Sequence, residues 1–257
     1  MQLLQNFKGI DLIKLLKIFL GDFMRFFLKL LVAFFIVSFP LSVYAKEIPF
    51  IEFYGDNFLK NLYIVESQHF SGSGQITRYN IDTLKHITRK KIIVVDLRDD
   101  IHGFVNGESI SFGKVTNLNN ILSTEEKTLK SISKNKLFTF YNKDSFSCIV
   151  KSVESEKSLV LTNSMKYIRF PVSSNIPDYT TLSKFKEVIN SFPKNYHIHF
   201  HCDNGYAKTA TYMILYDMLK NNNDKFEDII NRNKNSYMLD ENHMNFLKLF
   251  YEKGRLN

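Results

Sequence analysis

Tryptophan is absent, proline occurs five times, glycine ten times and cysteine twice in 257 residues. The two cysteines, Cys148 and Cys202, stand alone and far apart, which excludes a disulfide scaffold. There is no C-x-x-C pair and no histidine cluster at ligand spacing, so neither a metal nor a cofactor is expected. No internal repeat and no low-complexity linker divides the chain. No long basic block and no basic-aromatic interleave is present, so nucleic acid is not an expected partner. What is there is a net charge of +8, suited to phosphates or an anionic membrane surface. The 44% of hydrophobic residues are enough for one sizeable core, and the excess of Phe and Tyr reads mostly as core material.

The first 45 residues read as a targeting segment. Met24 and Arg25 open a short basic start, and an apolar run follows from Leu30 to Phe39. Val43 and Ala45 are the small or apolar residues that suit a signal-peptidase cut before Lys46. The run is too short for a membrane span of about 20 residues, so no stable span is expected after cleavage. The pattern predicts a signal peptide over residues 24–45, preceded by an extension over 1–23, and export to the periplasm or the medium. The alternative is an uncleaved amphipathic anchor, since Leu12, Ile13, Leu16, Phe19 and Leu20 also share an apolar face. Five of the 34 basic residues lie in this segment, so the positive charge belongs partly to the leader.

Residues 46–257 read as one α/β domain. Lys91 to Leu97 is a continuous β-branched run, the mark of a strand buried on both faces. Short strands are expected at Tyr167–Phe170 and His197–Cys202. Leu137–Tyr141 and Ser147–Val153 suit a small side sheet. Helices are expected at Asn80–Thr88, Ser123–Ser133 with Ser123 as its cap, Pro177–Phe192, Lys208–Leu219, Phe226–Arg232 and Glu241–Lys253. Phe70–Gln75 and Asp99–Lys114 read as loops from their glycines. Strands alternating with helices argue for a mainly parallel sheet flanked by helices, with a possible small β subdomain.

The chemistry lies after the last strand, in His201-Cys202-Asp203-Asn204-Gly205-Tyr206-Ala207-Lys208-Thr209. A buried strand enters a tight loop with one glycine, and the loop enters a helix. The loop's successive N–H groups, from Asp203 through Ala207, form a nest for an anion, and the helix start adds unpaired N–H groups and the positive end of its dipole. A cysteine at the rim of such a nest is expected to react as thiolate, attacking phosphorus to give a phosphocysteine that water hydrolyses. Thr209 can hydrogen-bond the sulfur, and His201 can brace the loop. Cys148, in an apolar strand, reads as structural.

This segment resembles the signature of the protein-tyrosine-phosphatase superfamily, H-C-x-x-G-x-x-R-S/T. More narrowly, the chain resembles the cysteine phytases, the tyrosine-phosphatase-like inositol polyphosphatases. Ser71-Gly72-Ser73-Gly74-Gln75 looks like that family's S-G-S-A-Q-F loop. Val94-Val95-Asp96-Leu97-Arg98, with His102-Gly103 and Asn106-Gly107, looks like its V-V-D-L-R…H-G…N-G stretch. Tyr167-Ile168-Arg169 followed by Pro177 looks like its Y-x-R segment and general-acid loop. The resemblance covers roughly Glu66 to the C-terminus. It implies a tyrosine-phosphatase-like fold, a phosphorylated substrate (phosphoprotein, inositol phosphate or phosphoinositide) and Cys202 as nucleophile. Arg98 is a candidate phosphate ligand beside Lys208, and His102 a loop-bracing residue.

Two positions depart from the family pattern. The arginine that closes the loop is Lys208, which keeps the charge and loses the planar fork. The general-acid aspartate should fall near Ser173 or Ser174, and the nearest carboxylate is Asp178, which equally suits a helix cap. Two functions follow: an exported cysteine-dependent phosphatase of reduced activity, or a pseudophosphatase that binds a phosphorylated ligand without turning it over.

Overall fold

The computed structural model describes residues 50–51, 58–115, 117–142 and 144–254. The targeting segment lies outside them. Five strands make the central sheet: β2 (Tyr63–Val65), β3 (Phe70–Ser73), β4 (Lys91–Asp96), β10 (Lys166–Arg169) and β11 (Tyr196–His201). Their order is β10-β4-β11-β3-β2. The first four run parallel, and β2 closes the edge antiparallel to β3.

Successive side chains of a strand point to opposite faces, and β4 shows why this sheet is covered on both. Ile93 and Val95 enter a core with Phe185, Tyr212 and Met213, whereas Ile92 and Val94 enter another with Leu84, Leu159 and Val160. The first face carries α4 (Tyr179–Asn190), α5 (Ala207–Lys220), α6 (Phe226–Arg232) and α7 (Glu241–Leu249). The second carries α1 (Ile81–Ile87) and α3 (Glu156–Thr162). Every residue of α5 from Thr209 to Met218 is buried, as a helix running through the middle of a core must be.

A second sheet contains β1 (Phe50–Ile51), β5 (Asp100–Val105), β6 (Glu108–Lys114), β7 (Leu137–Asn142), β8 (Asp144–Ile149) and β9 (Val153–Glu154). Its order is β8-β7-β1-β6-β5-β9. Here α2 (Ile121–Lys130) packs so closely that a Cβ on Gly103 would lie 2.8 Å from a methyl of Leu129. The α/β class and the mainly parallel sheet expected from the sequence are present; the small side sheet expected at Leu137–Tyr141 and Ser147–Val153 is instead part of a six-stranded sheet that also takes in β1, β5 and β6. Among the described residues no helix is long and apolar enough to cross a membrane.

Three local expectations are corrected. Asp99–Lys114, read as a loop, is the β5–β6 hairpin. Its turn is Asn106-Gly107, with φ of 55° and 90° between paired Val105 and Glu108, the two-residue arrangement that requires positive φ at both central residues. Phe70–Gln75 is not all loop, because Phe70–Ser73 is an interior strand. Its small residues are there because α5 crosses it: a Cβ on Gly72 would meet Met213 Sδ at 2.3 Å. Ser123 does not cap α2. The helix begins at Ile121, and the Ser123 and Thr124 hydroxyls each donate to the Asn120 carbonyl at 2.9 Å.

Candidate active site

The strand–loop–helix expected around Cys202 is formed by β11, residues 202–206 and α5. Gly205 has φ of 74°, and a Cβ there would lie 2.4 Å from Gly74 N, so only glycine fits. The loop leans on the chain after β3, where Gln75 N–H donates to the Asp203 carbonyl at 2.9 Å, and on the segment before β2, where Asn61 Nδ2 donates to the Asn204 carbonyl at 2.8 Å. Two donors converge on the sulfur of Cys202, the Gly205 N–H at 3.3 Å and the Thr209 hydroxyl at 3.1 Å. No side chain caps the start of α5, so its first N–H groups are left for another acceptor. Above the loop lies a cavity of about 320 Å³. Cys202, Asp203, Asn204, Tyr206, Ala207 and Lys208 all line it.

Lys208 lines the cavity, yet its ammonium is engaged sideways. Nζ donates to Asp99 Oδ1 at 3.0 Å and to the Val172 carbonyl at 2.7 Å. It therefore ties the 202–206 loop to the β4–β5 corner and to the segment after Phe170. Arg98 also lines the cavity, but its side chain is buried, paired with Asp100 and donating to Gln75. Asp178 does not line it. The carboxylate caps α4, accepting from Thr181 N at 2.7 Å, and that bond holds its pKa below the ordinary aspartate value. From the stretch after Phe170, the residue that lines the cavity is Asn175. Asp99, Asp100, Ser111 and Lys114, from the stretch expected to be a loop, line the cavity as well; the Asn-Gly turn between alternating apolar residues is the sequence signal for them.

Behind the loop sits a buried network of charges. Asp96, at the end of β4, accepts from the Tyr167 hydroxyl at 2.6 Å and Arg98 N at 2.9 Å, and pairs with Arg169 and with His102 at 3.3 Å. Burial opposes its ionisation, but Arg169, His102 and His201 hold it well below the usual carboxylate range. Burial and the two arginines disfavour a charged His102, and the Asp96 and Glu125 carboxylates outweigh them, pushing it up to about 10. Glu156 lies 2.6 Å from His201 Nε2 and is lowered to about 2, chiefly by His201 acting against burial. His201 thus braces the strand end beneath Cys202. Next to it on the same face of β11, His199 accepts and donates between Ser71 and Ser73 at 2.8 and 3.0 Å, and burial keeps it neutral, well below its ordinary pKa. Asp96, Glu156 and His201 stand within 4.8 Å of one another. Arg169, His102 and Tyr167 engage Asp96, and His102 also meets Glu156 Oε2, whereas Glu156 Oε1 and His201 Nε2 face each other without a hydrogen-bond partner. Cys148 is well apart from the site; burial raises its thiol.

The fold and this loop define a class, the α/β domain with a cysteine at the end of a central strand, opening a tight loop into a helix. A family model, PTP-like phytase (inositol hexakisphosphate), matches residues 139–220. No curated protein matches the chain in sequence. Among solved structures, a PTP-like phytase from Bdellovibrio bacteriovorus superposes with a TM-score of 0.68 at 23% identity, over 81% of this chain and 89% of that one. The tandemly repeated protein tyrosine phosphatase like phytase of Mitsuokella multacida gives 0.70 at 21% identity, over 92% of this chain and 53% of its own. The PTP-like myo-inositol phosphatase of the same organism, solved with myo-inositol-(1,3,4,5)-tetrakisphosphate, gives 0.63 at 23% identity, over 84% of this chain and 42% of its own. The chain therefore spans about half or less of the two Mitsuokella proteins and most of the Bdellovibrio one. Fold and family pattern agree with the resemblance to PTP-like phytases carried by the sequence motifs.

Proposed function

We propose that the protein is a cysteine-dependent phosphomonoesterase with Cys202 as nucleophile. The observation that carries this reading is the pair of donors, Gly205 N–H and Thr209 hydroxyl, aimed at a sulfur on the cavity floor. They position the sulfur for attack and give it hydrogen bonds as it leaves. The sulfur forms a bond to phosphorus as the ester P–O bond breaks, and the leaving oxygen takes its proton from the medium. Water then attacks phosphorus, the S–P bond breaks, inorganic phosphate is released and the thiolate returns.

Reduced activity is part of the proposal. Lys208 offers a point charge already shared with Asp99 and Val172, where a guanidinium would grip two phosphoryl oxygens. The same engagement favours a second reading, a module that binds a phosphorylated ligand without turnover. Lys208→Arg separates the two. For a weakened phosphatase, kcat on an aryl phosphate rises about tenfold, the worth of one added charge-assisted hydrogen bond in the transition state. For a binding module, neither form turns over. Wild-type turnover that Lys208→Arg lowers would mean a loop rebuilt around lysine and would contradict the account of this substitution.

Export is also proposed, on the basic start, the Leu30–Phe39 run and the small residues before Lys46. Expressed from Met24 in a bacterium, the protein should be recovered outside the cytoplasm with Lys46 as its first residue by N-terminal sequencing. An intact, membrane-bound N-terminus would instead identify an anchor.

A further inference from the structure

A cavity built for a heavily phosphorylated ligand needs an excess of cations, because each phosphate monoester carries close to two negative charges near pH 7 and a cleft of one sign draws in the opposite one. Among the described residues, the charged groups lining this cavity are Arg98, Lys114 and Lys208 against Asp99, Asp100 and Asp203, a formal balance of zero. The anions also hold the cations. Arg98 pairs with Asp100, and Asp99 takes both Lys208 at 3.0 Å and Lys114 at 3.2 Å. One phosphoryl group can be met by the loop's N–H groups and the start of α5, which need no free side-chain cation. A second and third phosphate on the same ring would meet no net positive charge among these lining residues.

The rim points the same way. Tyr206, within the loop itself, lines the cavity and is 45% exposed, presenting a ring where a substrate's leaving group would lie. An exposed ring on the cavity wall suits a flat apolar group better than a charged polyol. Val172-Ser173-Ser174-Asn175-Ile176 carries no carboxylate, and a phenolate departs without the proton that an alkoxide requires.

We infer that Asp99, Asp203 and Tyr206 set the selectivity of this site, admitting a singly phosphorylated aryl ester and excluding polyphosphorylated rings. The inference rests on the reading of the Cys202 loop as the phosphate site. Its test is binding, which does not depend on turnover. Calorimetric titration of full-length Cys202→Ser with phenyl phosphate and with inositol hexakisphosphate at about 0.15 M salt should give phenyl phosphate an affinity at least equal to that of the hexakisphosphate. Adding Asp99→Asn should tighten the hexakisphosphate roughly tenfold and shift phenyl phosphate less than about threefold, since only the polyanion senses the changed field strongly. Adding Tyr206→Ala should weaken phenyl phosphate by about 3- to 10-fold, the range for an aromatic pair, and leave inorganic phosphate unchanged. Hexakisphosphate binding tenfold tighter than phenyl phosphate before any selectivity mutation overturns the inference, as does failure of phenyl phosphate to bind. Phenyl phosphate that binds as described but is not hydrolysed by the wild type supports it, and counts only against the catalytic reading.

Discussion

Asp96→Ala loses about 3–5 kcal/mol of folding stability, the usual cost of removing one partner from a buried ion pair. A domain of this kind has only about 5–15 kcal/mol in total, so the variant sits near the edge of folding. The loss is large because Asp96 is fully buried and four donors depend on it: the Arg169 guanidinium, His102, the Tyr167 hydroxyl and Arg98 N. Without the carboxylate, Arg169 and His102 keep their charges in a buried interior, answered by Glu125, Glu156 and an Asp100 already shared with Arg98. The urea midpoint measures this, and a shift worth less than about 1 kcal/mol would mean that the network relaxes around the gap.

The same network fixes how stability varies with pH. Asp96 and Glu156 are held below their ordinary values, so the folded state binds fewer protons there than the unfolded one. Their contribution is complete above the ordinary carboxylate range and is lost as pH falls through the depressed values. His102 is raised to about 10, which has the opposite sign: its contribution is complete below the ordinary histidine value and is lost as pH rises towards 10. The combined contribution of Asp96, Glu156 and His102 to the urea midpoint should therefore be greatest between about pH 4.5 and 6.5, with Glu125, raised by burial, subtracting from it as pH rises above the ordinary glutamate value. His102→Gln should remove much of the decline on the alkaline side. An alkaline decline as steep in His102→Gln as in the wild type would show that this histidine does not carry it.

Residue pattern made the central sheet legible where one residue type dominates a segment. The Ile-Ile-Val-Val run of β4 and the apolar turns of α5 could fold in few other ways. The strand–loop–helix at Cys202 was equally legible, because a single glycine between a strand and a helix start leaves little freedom. What pattern alone obscured was set by contacts distant in sequence. Ser71-Gly72-Ser73 has a loop's composition, and becomes a strand because α5 needs its small residues to pass and β11 needs a neighbour. Ser111 and Lys114 reach the cavity because the Asn106-Gly107 turn folds β6 back along β5, to where Asp99 and Asp100 leave the β4–β5 corner. The role of Lys208 was half visible. Its charge could be read from its place in the loop, whereas its bonds to Asp99 and Val172 depend on two segments the loop does not contain. The cap formed by Asp178 shows the reverse: its position after Pro177 at a helix start carried the whole answer.

The second large effect falls on Cys202. Replacing a nucleophile removes the reaction path itself, so Cys202→Ser should lower kcat on an aryl phosphate by on the order of 10⁴-fold or more and leave the urea midpoint close to the wild type. Serine keeps the size of the group and still accepts from Gly205 and Thr209, but its hydroxyl has no base beside it to take its proton. The most direct measurement is an acid quench during turnover of phenyl phosphate, followed by mass spectrometry of the peptide that contains residue 202. The account predicts one phosphoryl group on Cys202 in the wild type and none in Cys202→Ser. A phosphoryl group on any other residue, or Cys202→Ser turnover within about tenfold of the wild type, would contradict it.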